Sequence, residues 1–438
     1  MTSLQPSDKQ DGRSTRRWKF ILLVIALSIL VYIEIVCFAE NDEDSFNNVL
    51  LPIDYSSVVK DQREIPRRNS TRLLSDEALD QMSRSFKEPN YIDNGCVKRI
   101  QIMCKPSVLR LDRPSGKHFC PAENCSIIYI VSMSYITLKK MDAVLLYHKA
   151  NWNWSQLQRS LRPPRQIWIY FGKEPPYKSS NWKPPDPTLL TFNWTMTYQR
   201  DSDIVFPYGK YLDSDPEIAD NDIRNWAANK TRLIVWMSSN CKLTFWDRQS
   251  FVKKLKKLIA VDMYGACGTL TCPRGKGCDV LLSSYKFYLA LENSQCKDYI
   301  SEKFWSNAFS HQSVPIVYGT SIENYKSVAP PHSFIHLDEF SSMAALVKYI
   351  KYLDKNDTAY NEYFEWKKHG SIKTFRLREE LGTYDWLMCD ILYKLREFDR
   401  ENPVESEWKP NMVDMKRWWK PSCAKQVFPF SHSPRSSL

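Results

Sequence analysis

The sequence predicts an α/β protein in which buried parallel strands alternate with helices. After Cys96, eight short runs are rich in β-branched and aromatic residues, at 127–131, 143–147, 167–171, 233–236, 261–264, 287–291, 314–318 and 334–337. Such continuous apolar runs are typical of parallel strands that are covered on both faces. Helical stretches separate several of them, as at 247–259 and 343–353. A length of 438 residues allows two domains of about 100–200 residues and further segments.

The composition is that of a globular protein. Hydrophobic residues make up 43% and charged residues 25% of the chain, which excludes global disorder. With 12 Gly and 25 Pro, collagen-like and low-complexity classes are also excluded. The net charge of +11 permits an anionic ligand. Because no dense Lys/Arg block or nucleic-acid motif accompanies that charge, we expect no nucleic-acid partner.

One apolar segment decides the predicted topology. Residues 20–39 are apolar except for Ser28 and Glu34, which is the length that a helix needs to cross a bilayer. Basic residues precede the segment and acidic residues follow it. The positive-inside rule therefore predicts a cytoplasmic tail (1–19), a single-pass anchor (20–39) and a body across the membrane. A cleaved signal peptide is the competing interpretation, but its apolar core of about 7–15 residues is shorter.

Residues 40–90 are polar and form a predicted stem before the body. Six glycosylation sequons favour a lumenal or extracellular body, at Asn69, Asn124, Asn153, Asn193, Asn229 and Asn356. Eleven of the twelve Cys follow the anchor, and an odd number leaves at least one thiol free or paired between chains. The spacing of Cys267, Cys272 and Cys278 resembles a zinc site, but no His pair accompanies it. Disulfides are therefore favoured over a metal. The pair Trp418–Trp419 near Cys423 predicts that the tail packs back on the body.

The segment 285–308 carries the clearest chemistry. A strand (287–291) leads into a polar turn (292–298) and then a helix that we expect to begin near Tyr299. In open α/β sheets, ligands bind at the carboxyl ends of strands and against helix N-termini, which favour phosphate. Lys303 adds a full charge there, and Glu292 and Glu302 could bind sugar hydroxyls. No Gly-rich loop is present, so side chains would have to hold a pyrophosphate. By composition alone, a solvated surface turn is the simpler interpretation.

Several long motifs with fixed spacing stand in this region. They are Leu291-Glu-Asn-Ser294, Asp298-Tyr-Ile-Ser-Glu-Lys303, Val314-Pro-Ile-Val-Tyr-Gly319, Pro330-Pro-His-Ser-Phe-Ile-His-Leu-Asp-Glu-Phe340 and Asn193-Trp-Thr-Met-Thr-Tyr-Gln-Arg-Asp-Ser-Asp-Ile-Val-Phe-Pro-Tyr-Gly209. Together they resemble the α1,3-fucosyltransferase signature over roughly residues 140–370. The stretch 264–274 is similar to the invertebrate and core-type branch of that family.

The resemblance implies a Golgi type II membrane enzyme with two Rossmann-like domains facing across a cleft (GT-B-like). The acceptor domain would span 91–230, the GDP-fucose domain 231–400 and a tail 401–438. The implied reaction is an inverting transfer of L-fucose from GDP-β-L-fucose in α1,3 linkage. It implies no essential metal, although divalent cations could stimulate.

The resemblance also assigns roles to single residues. Glu174 matches the catalytic base, which deprotonates the acceptor hydroxyl. Arg248 and Lys303 match cations that bind the diphosphate. Three further positions match contacts to the nucleotide or fucose, namely Asn293, Tyr299 and Glu302. For Tyr299, simple helix packing is a rival explanation.

The acceptor stays open between the innermost GlcNAc of an N-glycan core, which is slightly favoured, and GlcNAc of an antennal lactosamine (Lewis-type). Two other classes compete with an enzyme: a glycan-binding relative that has lost catalysis, and an anchored adhesion protein. Retention of Glu174, Arg248 and Lys303 argues against both. The oligomeric state cannot be read from the sequence.

Overall fold

The computed structural model describes residues 95–109, 115–148, 150, 153, 156–157, 162–176, 192–242, 244–273, 276–375, 386–403, 413–423 and 429–430. The predicted cytoplasmic tail (1–19), anchor (20–39) and stem (40–90), which contains Asn69, lie outside these residues. Within them, no helix has both the length and the apolar character needed to cross a membrane. Both sheets described below belong to one compact unit.

A seven-stranded sheet forms the first half of the body, in the order β2-β3-β1-β4-β5-β6-β7. Its strands are β1 (Val97–Met103), β2 (Ser115–Cys120), β3 (Cys125–Val131), β4 (Ala143–Tyr147), β5 (Ile167–Gly172), β6 (Trp194–Thr197) and β7 (Ile204–Val205). All neighbours pair in parallel except β2, which is antiparallel to β3.

A five-stranded parallel sheet forms the second half, in the order β10-β9-β11-β12-β13. Its strands are β9 (Arg232–Met237), β10 (Val261–Tyr264), β11 (Tyr285–Leu291), β12 (Val314–Tyr318) and β13 (Ile335–His336). A separate antiparallel pair joins β8 (Gly209–Asp213) to β14 (Gly370–Thr374). The two parallel sheets confirm the predicted α/β class.

The described α-helices are α1 (Pro106–Leu109), α2 (Arg248–Lys256), α3 (Lys276–Ser283), α4 (Ile322–Lys326), α5 (Met343–Lys355), α6 (Asp357–Asn361), α7 (Trp386–Glu401) and α8 (Met415–Trp418). Short 3₁₀ turns lie at Pro121–Glu123, Thr137–Lys140, Phe309–His311, Leu337–Glu339, Glu362–Lys368 and Lys420–Ser422, and a π-helix at Lys303–Ala308. Local chemistry sets two of the starts: the carboxylate of Asp247 caps α2 by accepting from Ser250 N–H, and Ser342 caps α5.

All eight predicted strands are present, three of them with the predicted bounds. The run predicted at 334–337 is a two-residue strand that ends in a 3₁₀ turn. The helix expected near Tyr299 begins instead at Lys303, because residues 292–302 form an extended, hydrogen-bonded turn.

The final long helix, α7, packs on the first sheet. Leu387, Ile391 and Leu395 lie in one buried cluster with apolar side chains of β1, β3, β4 and β5. A disulfide between Cys120 and Cys389 joins the same two elements. The predicted second domain, 231–400, includes α7. In the structure this helix instead completes the hydrophobic core of the first sheet. Burial of each large apolar side chain contributes about 1.5–3 kcal/mol.

Four further disulfides are present, Cys96–Cys125, Cys241–Cys267, Cys272–Cys278 and Cys296–Cys423. The preference for disulfides over zinc at Cys267, Cys272 and Cys278 is thus confirmed. The remaining described cysteine, Cys104, is a buried thiol, as the odd count predicted. The predicted docking of the tail is also confirmed, because Trp419 is buried and its ring contacts Tyr170 and Tyr198.

Candidate functional site

The turn that follows β11, residues 292–302, is organised around one buried carboxylate; we call it the donor turn. Glu292 Oε1 accepts the backbone N–H of Ser301 at 2.7 Å, and Oε2 accepts its hydroxyl at 2.8 Å. The backbone of Glu292 donates to Tyr318 O and accepts from the Trp246 indole. These bonds fold the donor turn back on itself, so that the chain enters the π-helix next to the end of β11.

Lys303, the first residue of that π-helix, is surrounded by anionic and polar groups. Its Nζ lies 2.9 Å from Glu302 Oε1, 3.0 Å from Ser301 Oγ and 3.4 Å from Glu292 Oε2. Burial opposes the charge, but the two carboxylates outweigh it and raise the pKa of Lys303. The ammonium therefore stays protonated at every physiological pH, which a phosphate-binding cation requires.

The two glutamates occupy different environments. The side chain of Glu292 is fully buried, and this burial raises its pKa despite the opposing effect of Lys303. Its oxygens face Ser301 and Lys303, and the sequence-based role of Glu292 in binding sugar hydroxyls stays a prediction. The carboxylate of Glu302 is 31% exposed. Burial works against its charge, but the bond from Lys303 prevails and lowers the pKa of Glu302. Of the two, Glu302 is the one accessible to a ligand.

Arg248 is held at the carboxyl ends of β9 and β11. It is 2% exposed, and its Nη1 and Nη2 each donate at 2.8 Å to backbone carbonyls, those of Leu291 and Asn240. Its positive charge opposes the rise in the pKa of Lys303 that the two carboxylates cause. The guanidinium is thus buried and links the end of β11 to the segment that follows β9, rather than being a solvated side chain. A bidentate contact to phosphate would use its remaining N–H groups.

Asn293 follows Glu292 in the donor turn and is 3% exposed. Its backbone carbonyl accepts from Phe245 N–H at 2.7 Å. The side-chain Oδ1 is buried and accepts no hydrogen bond from any described residue. An unsatisfied buried acceptor costs about 1–3 kcal/mol, so this oxygen is suited to receive a donor from a ligand.

Glu174 contacts the donor turn through the side chain of Tyr299. The Tyr299 hydroxyl lies 3.4 Å from Glu174 Oε2, although the two residues are 125 positions apart. The ring of Tyr299 packs against those of Tyr198 and Tyr208, with centroids 4.9 and 6.1 Å away. Burial, followed by the charge of Glu174, raises the pKa of Tyr299 well above its ordinary value. Its hydroxyl is therefore a neutral hydrogen-bond donor to Glu174, and the packing role coexists with a role in the site.

The loop of Glu174 is fixed by its neighbour Lys173. The ammonium of Lys173 donates to the carbonyls of Pro207 and Phe375, and it lies 4.0 and 4.3 Å from the ring centroids of Phe206 and Tyr208. Tyr208 in turn donates its hydroxyl to Lys173 O at 2.8 Å. The segment 206–208 thus holds the candidate base in position.

Sequence reasoning did not single out the residues that join the two sheets. Arg200 binds Asp298 through the guanidinium at 2.9 Å and through its backbone N–H at 3.2 Å, and Lys297 pairs with Asp201 at 3.1 Å. At Gly209, an added Cβ would lie 2.5 Å from Trp305 Cγ, so only glycine allows β8 to approach the π-helix. The signal for Arg200, Asp201 and Gly209 was their membership of the motif 193–209, and that for Asp298 was its membership of the motif 298–303.

The described sequons differ in accessibility. Asn124, Asn153 and Asn229 are exposed, and Asn356 is partly buried as the N-cap of α6. Asn193 is 5% exposed, and its Oδ1 accepts Trp168 N–H at 2.8 Å as well as a guanidinium N–H of Arg162. A glycan on Asn193 would require this amide to leave its buried position, so the fold argues against that predicted site.

Comparison with known proteins places the site in context. Residues 98–209 match the family described as "Fucosyltransferase, N-terminal", and residues 227–409 match "Glycosyltransferase family 10 (fucosyltransferase) C-term". Both ranges contain candidate site residues: Glu174 in the first, and Arg248 with the donor turn in the second.

Individual relatives agree with these family matches. The glycoprotein 3-alpha-L-fucosyltransferase A of Drosophila melanogaster is 41% identical over 261 residues, which cover 58% of this chain and about half (48%) of that protein. The 3-galactosyl-N-acetylglucosaminide 4-alpha-L-fucosyltransferase FUT3 of Bos taurus is 39% identical over 267 residues, 60% of this chain and 69% of that protein. A crystal structure of an alpha1,3-fucosyltransferase with GDP-fucose aligns with 76% of this chain and 98% of its own, at a TM-score of 0.47 and 15% identity.

Proposed function

The chain belongs to the fucosyltransferases of glycosyltransferase family 10, and on that premise we propose that it transfers L-fucose from GDP-β-L-fucose, with inversion and in α1,3 linkage, to GlcNAc of N-glycans. The core-type acceptor, the innermost GlcNAc, is favoured over an antennal lactosamine. The name of the Drosophila relative, which specifies a glycoprotein 3-alpha-L-fucosyltransferase, supports α1,3 transfer to a glycoprotein acceptor. The choice of the core over the antenna rests on the likeness of residues 264–274 to the core-type branch.

The contact between Tyr299 and Glu174 carries the proposal. It brings the candidate base of the first sheet against the donor turn of the second. In the proposed reaction Glu174 takes the proton from the acceptor hydroxyl, whose oxygen forms a bond to the anomeric carbon of fucose. The bond from that carbon to the GDP oxygen breaks, and the charge that develops on GDP is stabilised by Lys303 and Arg248.

The charge balance of the donor turn supports a stimulatory role for divalent cations. Lys303 lies within 3.4 Å of two carboxylates, Glu292 and Glu302, and Arg248 supplies a second cation, so the four formal charges cancel. A GDP diphosphate would add negative charge that these groups alone do not neutralise. We therefore expect Mn²⁺ to raise the rate of transfer and EDTA to lower it without abolishing it. Equal rates in both conditions would contradict this part of the proposal.

The proposal includes a single-pass anchor at residues 20–39 and a body in the Golgi lumen. The five disulfides of the described residues support it, because such bonds form in oxidising compartments. Protease protection of the full chain in sealed microsomes, lost on adding detergent, is the expected result. Digestion of the body without detergent would refute the orientation.

A transfer assay tests the function. The purified full chain is incubated with GDP-fucose and either a trimmed core N-glycan or a terminal lactosamine, and mass spectrometry reports a gain of one fucose. We expect transfer to the core glycan, and loss of transfer in Glu174→Gln. Transfer to lactosamine alone would replace the core assignment by the Lewis-type one. Failure of the folded wild-type chain to bind GDP-fucose would refute the proposal.

A further inference from the structure

The segment 413–423, which we call the strap, contacts the candidate site from outside both family matches, 98–209 and 227–409. At its start, Val413 N–H donates to Phe192 O at 2.9 Å, two residues before β6. At its end, Cys423 forms a disulfide with Cys296 of the donor turn. The strap therefore links the first sheet to the donor turn of the second.

The end of the strap fixes the backbone that leads to Tyr299. Beside the disulfide, Lys297 N–H donates to Ser422 O at 2.8 Å. Tyr299 N–H donates to Cys296 O at 3.1 Å. The residue that the strap holds covalently thus accepts a hydrogen bond from the backbone of Tyr299, so the two segments cannot move independently.

Trp419 is the central side chain of the strap. It is 1% exposed, and its ring centroid lies 5.7 Å from that of Tyr170 and 5.6 Å from that of Tyr198. The indole N–H is buried and donates to no described residue. Leaving a buried donor unsatisfied is costly, so packing rather than a hydrogen bond holds the ring here. The contribution of Trp419 is therefore to fix the two tyrosine rings that it contacts.

Both tyrosines lead from Trp419 to Glu174. The ring of Tyr198 packs against that of Tyr299 at 4.9 Å, and the Tyr299 hydroxyl lies 3.4 Å from Glu174 Oε2. Tyr170 belongs to β5, which ends two residues before Glu174. Trp419 thus supports the hydroxyl donor through one ring and the strand that carries the carboxylate through the other.

The contact between Tyr299 and Glu174 is sensitive to small displacements. At 3.4 Å it is near the upper limit of a hydrogen bond. Interiors are close-packed, and neighbours relax toward the space that a truncated side chain leaves. Loss of the Trp419 ring would let Tyr198 shift, and the ring of Tyr299 would shift with it.

We propose that Trp419 is a positioning residue, which holds the Tyr299 hydroxyl within hydrogen-bond distance of Glu174, and that the Cys296–Cys423 disulfide keeps the strap in place for this purpose. The effect of Trp419 on transfer rests on the proposed function. Its effect on the position of Tyr299 does not, and the two are measured separately.

The test compares two buried tryptophans in the purified full chain. Trp419→Leu removes the ring of the strap and keeps an apolar side chain. The matched control is Trp226→Leu, because Trp226 is also buried but stacks on Phe364 in the core of the second sheet. For each variant we measure kcat with GDP-fucose and a core N-glycan, the Kd of GDP, and thermal unfolding. A double-mutant cycle combines Trp419→Leu with Tyr299→Phe.

We expect Trp419→Leu to lower kcat about three- to tenfold, the contribution of one hydrogen bond, and to change the Kd of GDP less than about twofold. Trp226→Leu should leave kcat unchanged. In the Tyr299→Phe background, Trp419→Leu should change kcat less than about twofold, because the bond that it positions is already absent. An unchanged kcat in Trp419→Leu, equal losses in both tryptophan variants, a parallel loss of GDP affinity, or additive losses in the cycle would overturn the proposal.

Hydrogen exchange tests the position of Tyr299 without transfer. The backbone amides of residues 296–301 should exchange faster in Trp419→Leu and at the wild-type rate in Trp226→Leu. This result in a chain that transfers no fucose would refute only the proposed function, whereas equal exchange in the two variants would overturn the role of Trp419. Should Trp419→Leu fail to fold, Trp419→Phe, which keeps a smaller ring, replaces it in the cycle and in the exchange measurement, and additive losses or unchanged exchange there overturn the proposal.

Discussion

The hydroxyl of Tyr299 reaches the carboxylate of Glu174 across the junction of the two sheets, at 3.4 Å. Neither residue lies in a regular helix or strand of the described chain. Each is held by neighbours instead: Glu174 by the bonds of Lys173, and Tyr299 by the rings of Tyr198 and Tyr208.

We expect Glu174→Gln to lower kcat by about 10²–10⁴-fold, the usual contribution of a general base. Tyr299→Phe should lower it by less than about tenfold, because the ring packing is kept and only one hydrogen bond is lost. Steady-state kinetics with GDP-fucose measures both. A Glu174→Gln enzyme of normal kcat would show that another group accepts the proton.

Removal of the ammonium in Lys303→Met should weaken GDP binding more than about tenfold, since a buried charge contact to phosphate is lost. The variant should also be less stable, because Glu302 and Glu292 lose their cation. Lys297→Met, which removes an exposed lysine of the same turn, is the control. Titration calorimetry measures the affinity of each variant for GDP. Equal affinities of Lys303→Met and Lys297→Met would exclude Lys303 from the donor site.

Glu292→Ala should lower the free energy of unfolding by about 3–5 kcal/mol, the cost of breaking a buried charged network. Ser301 and Lys303 would be left without their carboxylate. Glu302→Gln, at the partly exposed neighbour, should cost less than about 1 kcal/mol. Chemical denaturation tests this order. A stable Glu292→Ala chain with weakened sugar binding would support the hydroxyl-binding role.

The cap of α2 gives a prediction that depends on pH. Hydrogen bonds from Ser250 lower the pKa of Asp247 below its ordinary value. The stabilisation by the charged cap is therefore complete above the unfolded pKa of about 3.8 and is lost as pH falls through the folded pKa. We expect Asp247→Ala to cost about 0.5–2 kcal/mol at pH 7 and less near pH 3. Chemical denaturation of the wild type and of Asp247→Ala at both pH values measures this cost. The same difference in the free energy of unfolding at pH 7 and pH 3 would show that the charge of Asp247 does not stabilise the cap.

Cys296→Ser with Cys423→Ser should release the tail from the donor turn. Their disulfide closes a long loop, and its loss costs about 2–5 kcal/mol. The backbone bond from Lys297 N–H to Ser422 O and the burial of Trp419 would weaken with it. We expect faster limited proteolysis near residue 423 in the variant than in the wild type. Equal cleavage would show that aromatic packing alone holds the tail.

The fold class could be predicted because the central strands are continuously apolar, as in 143–147 and 314–318. Strand β1 escaped prediction because Lys98, Arg99 and Gln101 interrupt it. Gln101 is nevertheless fully buried, since its amide donates to the carbonyls of Ser132 and Ser134. A long-range partner of this kind leaves no periodic signal in the sequence.

The site residues that lie in family motifs could be predicted from the sequence. The burial of a side chain could not be predicted where it depends on tertiary contacts. Glu292 looks like an exposed acid in a polar turn, yet the fold encloses it with Ser301. Arg248 looks like one of many surface cations, yet two strand-end carbonyls hold it. Both outcomes depend on strands that meet far apart in the sequence.

The packing of α7 on the first sheet has a consequence for synthesis of the chain. Domains are made from the N-terminus onward and tend to fold as units. Here the first sheet cannot bury Ile100 or Ile169 against Leu387 and Ile391 until nearly the whole polypeptide has emerged. The second sheet, whose strands run from 232 to 336, can complete its own hydrophobic interior earlier. The half that is synthesised first therefore completes its core last, and a chain truncated before residue 386 should stay bound to chaperones.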